Sequence, residues 1–252
     1  MDTLKDIVAA GRERNGAAID AVERATPYSY RELSTNAWKA GNLLGHYGVH
    51  PGATVGVAAG PKGDGEGSYV NSADPILTVL GATMRGANAT LTPQSPVDLR
   101  ALVLPWQWYG RYEVTPSCSV LAYGGPPDTP DVTHFETELW SENPMEPPEP
   151  VKPDTVALVD EAHSYTHREL LTVSKRLTEE YDIDDSSTVG LGVPLDSAGA
   201  FVAGVLAPLS VGATILLGSE GEDLSGHADV IVRSEGTEAG ISPATVDTWL
   251  SE

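Results

Sequence analysis

His163 and His167 stand four residues apart, with Ser164 between them and Glu161 and Glu169 on either side. On one helix, such a set would offer imidazoles and carboxylates to a metal. A strand-to-helix turn is expected between the two histidines, which splits the face and leaves turn and cap roles. Ser164, Ser197 and His163 supply the residue types of a hydrolytic set, yet no G-x-S-x-G elbow is there to present a nucleophile. The run GPKGDGEG, residues 60–67, has enough glycine to approach a phosphate. No Gly-Lys-Ser/Thr closes it and its two acids oppose an anion, so it reads as a surface loop. Ser234-Glu235-Gly236-Thr237-Glu238 reads as another solvated loop. Cys118 is the single cysteine and lies in the apolar run SCSVLAY. It excludes an internal disulfide and a cysteine-based zinc site, and reads as a small buried hydrophobe. PWQWYGRY could stack a flat ligand, but core packing, in a strand, is the reading its aromatics favour.

The elements around these residues form two similar successions. Residues 2–14 read as a helix, 17–20 and 28–30 as short strands, and 31–47 as a helix with Leu33, Ala37, Ala40, Leu43 and Leu44 on one stripe. A strand at 54–59, a helix at 76–84 and a strand at 88–91 follow. Beyond residue 155 come a strand at 156–159, a helix at about 166–181, a strand at 188–193, a helix at 198–209 and strands at 214–217 and 229–232. Ser242-Pro243 opens a last short helix as cap and first residue. The halves also match in sequence: Arg31-Glu32-Leu33 faces Arg168-Glu169-Leu170, Thr54-Val55-Gly56 faces Thr188-Val189-Gly190, and VLGATMRGANATL faces VLAPLSVGATILL. Alternating helices and strands predict parallel sheets covered by helices. The expected class is α/β, with one lobe over 1–140, a second over 155–252, and the lobes packed together. SENPMEPPEPVKPD, 141–154, is proline-rich and is expected as an extended linker rather than packed structure.

Composition sets the surroundings. The chain has 252 residues, 40% of them hydrophobic, and a formal charge of −21. That field opposes phosphate backbones and anionic lipid, so neither nucleic acid nor membrane is an expected partner. Acids scattered along the chain, rather than gathered in a tail, suit a folded protein in concentrated salt, where a Debye length of about 3 Å at 1 M screens self-repulsion. The start carries no basic and apolar signal pattern, and no apolar run is long enough to span a bilayer. A halophilic cytoplasm is the expected setting.

The order of these blocks resembles the large N-terminal domain of the adenylate-forming superfamily, which includes acyl-CoA synthetases. TPYSYRELSTNAWKAGNLLGHYGVHPGATVGV is similar to that family's opening block, and ILTVLGATMRGANATLTP to its next helix and strand. FETELWSENPMEPPEPVKPDTVAL resembles the approach to its phosphate-binding loop, and VPLDSAGAFVAGVLAPLSVGATILL the segment after it. The resemblance implies a Ser/Thr/Gly-rich loop after Val159, whose N–H groups and hydroxyls would hold ATP phosphates. Here Asp160-Glu161-Ala162-His163-Ser164 leads directly to Tyr165. Where the family has an aromatic and a His between Pro-Leu and Ser-Ala-Gly, only Asp196 stands between Leu195 and Ser197. The family's adenine motif, ribose-binding Asp and lysine-bearing C-terminal domain would fall beyond Glu252, and no lysine follows Lys175. The expectation is a truncated, degenerate homologue without adenylate-forming activity and with no required cofactor; ATP with Mg²⁺, or CoA, would bind only if family affinity survived. His163, Ser164, Thr166, Asp196 and Ser197 are the candidate ligand-binding residues at the cleft between lobes, and no catalytic or metal-binding residue is expected. An intact synthetase or a second copy of the chain is the expected partner. An acyl, CoA or nucleotide binder, or one half of a split ligase, remains the alternative.

Overall fold

The computed structural model describes residues 1–21, 26–59, 71–219, 221–234 and 240–252. The loop 60–67 and positions 235–238 fall outside the described residues. Three helices begin in the same way. Helix α1 (Leu4–Gly11), α2 (Tyr30–His46) and α5 (His167–Glu180) each open with a reciprocal capping box, formed by Thr3 with Asp6, Ser29 with Glu32, and Thr166 with Glu169. Each box satisfies two otherwise orphaned N–H groups, which fixes where the chain stops being extended and starts to coil.

Strands β1 (Ala17–Ala21) and β2 (Tyr28–Ser29) lead into α2, followed by β3 (Thr54–Val57), α3 (Ala73–Met84) and β4 (Asn88–Thr90). Then come β5 (Ala101–Pro105), β6 (Ser119–Tyr123), β7 (Thr133–His134) and α4 (Phe135–Ser141). The second half has β8 (Val156–Val159), β9 (Ser164–Thr166), α5, β10 (Thr188–Leu191), α6 (Ala198–Phe201), α7 (Ala207–Val211), β11 (Thr214–Leu217), β12 (Val230–Val232) and α8 (Pro243–Leu250). One sheet runs β12-β10-β11-β1-β2 and the other β7-β6-β5-β3-β4-β8-β9. All pairings are parallel except the two hairpins, β1–β2 and β8–β9.

These sheets cross the division drawn at 1–140 and 155–252. The β1–β2 hairpin of the first half pairs with β11 of the second, with Ile19 opposite Ile215. The β8–β9 hairpin of the second half pairs with β4 of the first, with Ala89 opposite Leu158. Each half therefore lends its opening hairpin to the other's sheet, around one large buried core. The repeat explains a local irregularity too. Seven positions separate the cap Ser72 from Val79, and eight separate the cap Ser197 from the matching Val205. The extra residue is taken up by a π turn, Val202–Leu206, between α6 and α7.

Two expectations need correcting. Residues 141–154 are extended but packed. Lys5 Nζ donates to the carbonyls of Pro147 and Glu149, Asn42 to those of Asn143 and Met145, and Arg85 pairs with Glu149 at 2.6 Å. Pro147 is buried against Gly41 of α2. Proline removes backbone donors, so helix side chains supply them to the segment's free carbonyls. The aromatic run is no strand: Leu102 to Pro105 complete β5, and Trp106–Arg111 coil into a 3-10 turn.

Candidate functional site

The connection after β8 is a closed turn. Asp160 Oδ1 accepts the N–H groups of Ala162 and His163, both at 2.7 Å, and Asp160 N–H donates to the His163 carbonyl at 3.0 Å. Tyr165 Oη donates to Asp160 Oδ2 at 2.9 Å, and the His163 ring stacks on Tyr165 with centroids 5.9 Å apart. Burial alone would raise the Asp160 carboxyl, but the two backbone N–H groups and the tyrosine hydroxyl together hold it below its ordinary range. Burial, then the hydrogen bond to Asp160, push the Tyr165 phenol upward.

Beneath this turn lies a cleft of about 270 Å³. Leu91, Thr92, Leu158 and Val159 form its strand side; Asp196, Ser197 and Ala198 come from the start of α6, and Asp247 and Ser251 from α8. Ser197 Oγ accepts Ala200 N–H at 3.1 Å, and Asp247 Oδ1 accepts Gly199 N–H at 2.6 Å, so α8 is tied to the first turn of α6. Desolvation raises the carboxyls of both Asp196 and Asp247, and for Asp247 the charges of Asp160 and Asp196 add to it. Asp196 nonetheless remains exposed as a residue.

Of the five candidate residues, His163, Asp196 and Ser197 meet in this cleft. Ser164 lies exposed on β9, and Thr166 is spent on the α5 cap, outside it. His167 is fully buried: its Nδ1 accepts Leu4 N–H at 3.1 Å, so it shares no face with His163. Asp160, Tyr165 and Asp247 are site residues that reading the sequence missed. Asp160 carried a signal, because an aspartate two and three residues before free N–H groups closes an Asx-type turn. Asp247 carried none, since only tertiary packing brings α8 to α6.

This lining disfavours a nucleotide triphosphate. Among the described residues it contains three carboxylates and neither Lys nor Arg, and the N–H groups of Ala162 and His163 are already taken by Asp160. Among the described residues, no group of three or more His, Cys, Asp and Glu side chains is arranged to hold a metal ion. No helix among them is long and apolar enough to cross a membrane.

No family model and no curated protein sequence matches the chain. Solved structures do. An anthranilate CoA ligase, AuaEII, in complex with anthranoyl-AMP superposes with TM-score 0.74 at 16% identity, over 92% of this chain and 49% of that one. A benzoate CoA ligase from Burkholderia xenovorans gives 0.73 at 17%, over 91% and 50%. A long-chain-fatty-acid-CoA ligase from Archaeoglobus fulgidus gives 0.65 at 18%, over 85% and 46%. The chain thus spans about half the length of these enzymes. Its two helix-flanked, mainly parallel sheets have the fold of the N-terminal part of adenylate-forming acyl- and aryl-CoA ligases.

Proposed function

We propose that this chain is a degenerate relative of the adenylate-forming ligases that binds a ligand or partner and does not make adenylates. The observation that carries this reading is the Asp160–His163 turn. At the place where the resembled enzymes hold phosphate, two backbone N–H groups point instead to the chain's own carboxylate. Stabilising charge on a transferring phosphoryl group needs donors or cations aimed at it. In the turn after β8 the Asp160 carboxylate presents the opposite sign. Pyrophosphate exchange with a panel of aryl and alkyl acids, with Mg²⁺ in low and molar KCl, is the test. Exchange above background with any acid refutes the proposal.

The cleft beside the turn favours a second reading, a small-molecule binder. Its size, near the lower end for ligand sites, and its acidic rim suit a small neutral or cationic group rather than a phosphate. Thermal shift against acyl-CoAs, AMP, carboxylic acids and small amines separates the cases, because a native-state ligand raises apparent stability. Co-purification of a chain carrying the remaining ligase motifs would favour a split enzyme instead. The charge of −21 supports a high-salt setting, and stability that rises steadily with KCl is the expected outcome.

A further inference from the structure

Helix α1 stands between the two halves. On one side Ser34 Oγ of α2 donates to the Val8 carbonyl at 2.7 Å, and on the other Leu4 N–H donates to His167 Nδ1 of α5 at 3.1 Å. Successive helical residues turn by about 100°, so Lys5 and Ile7 face nearly opposite ways. On the Lys5 side the chain's own proline strap lies across α1, α2 and α3. Pro147 rests on Gly41, Lys5 Nζ donates to the carbonyls of Pro147 and Glu149, and Glu149 pairs with Arg85 at the end of α3. On the Ile7 side, α1, α5 and α7 border an open groove of about 270 Å³, lined by Ile7, Leu171, Lys175, Thr178, Ser210 and Val211 among others. The internal repeat makes these the same place in the two halves. Thr178 lies as far beyond Arg168 as Gly41 beyond Arg31, and Val211 as far beyond Val205 as Arg85 beyond Val79. Pro147 and Glu149 of the strap therefore rest on two positions whose counterparts line the open groove.

We propose that the groove between α1, α5 and α7 docks an extended, proline-rich segment of a partner protein, one that carries a carboxylate, in the manner of the strap. Ile7 is buried and Leu171 and Val211 are half-buried, which gives proline rings an apolar floor. Proline has no N–H to satisfy, so such a segment presents carbonyls and needs donors from the groove. Lys5 is that donor for the strap, and Lys175 stands at the rim of the groove. Lys175 Nζ is 3.6 Å from Glu179 in a largely exposed pair, which is worth little and leaves the ammonium able to take a carbonyl or a carboxylate. A proline-rich segment is extended before it binds, so little conformational freedom is lost on docking. A second copy of the chain does not fit this role, because its strap is held on its own α1, α2 and α3. The groove shares no lining residue with the cleft beside Asp160, so either assignment can fail without the other.

The probe is a fluorescein-labelled peptide of residues 141–154, titrated with the full chain at the lowest KCl concentration that preserves native circular dichroism and followed by anisotropy. The expected result is saturable binding with a dissociation constant below about 1 mM. Val211→Asp and Lys175→Glu should each weaken it about tenfold, the second through an exposed side chain whose change leaves the fold intact. A peptide with glycine in place of its prolines should bind more weakly, having more freedom to lose. Added peptide should slow hydrogen exchange in α1 and α5. No saturation by a natively folded chain, binding unchanged in both variants, or protection confined to α2 and α3 would each overturn the proposal. A dimer in sedimentation equilibrium that Lys175→Glu dissociates would overturn it too, by making a second copy the occupant.

Discussion

Asp182, at φ 52°, takes the left-handed position after α5 that Gly48, at φ 79°, takes after α2. The two turns are otherwise alike: Val49 N–H bonds back to the Leu44 carbonyl, and Ile183 N–H to that of Thr178, both at 3.0 Å. The first repeat meets the geometry with a residue that lacks a Cβ, the second with one that resists it.

Asp182→Gly is therefore expected to stabilise the protein by about 0.5–1 kcal/mol, the relief of left-handed strain less the entropy a glycine adds to the unfolded chain. Urea unfolding midpoints measure it. An unchanged or lower midpoint would show that Asp182 bears no strain.

Burial depresses His167 from 6.5 to about 4, the Asp6 charge only partly offsetting it. The unfolded chain takes up this proton first, so stability contributed by the neutral ring is intact above about pH 6.5 and is lost as pH falls toward 4. The loss is on the order of 3 kcal/mol across that window. His167→Gln keeps an acceptor for Leu4 N–H without titrating, and should flatten the profile there. Chemical denaturation of both proteins at pH 7, 5.5 and 4.5 decides it.

The cleft acids act in the opposite sense. Carboxyls raised by burial weaken the fold at neutral pH, and stability returns as pH falls through their folded values. Asp196→Asn should raise the melting temperature by about 1–2 °C near neutrality in low salt, and by less in molar KCl. A gain independent of both pH and salt would assign the effect to something other than charge.

Gly81→Ala should be severe. A Cβ there would stand 2.6 Å from Gly41 N and 2.9 Å from the Ala40 carbonyl carbon, backbone atoms of α2 that cannot swing aside. A loss of about 2–3 kcal/mol is expected from forcing α2 and α3 apart, read from urea unfolding at constant slope.

Much of this architecture is legible in the sequence because it is local. Arg-Glu-Leu after an extended serine or threonine announces both α2 and α5 through their capping boxes, and Ser242-Pro243 announces α8. Strands β5 and β6, ALVLP and SVLAY, escape because both faces are covered and no alternation marks them. Sheet membership is also illegible: periodicity reports that Ile19 faces a core, but not that Ile215 is its neighbour. At the site, His163, Asp196 and Ser197 stand out by spacing and by their place in the motif order of the resembled family. Asp247 depends on α8 folding back to Gly199, a contact that no local pattern encodes.

The exchanged hairpins bear on how the chain is made. As it leaves the ribosome, β1 has no strand beside it except β2 until β11, nearly two hundred residues later, has been synthesised. The β4 edge likewise stays open until β8 arrives. Neither sheet can close from one side of the proline strap alone. Residues 1–140 alone therefore leave the β1–β2 hairpin and the β4 edge without their partner strands, which only the second half supplies.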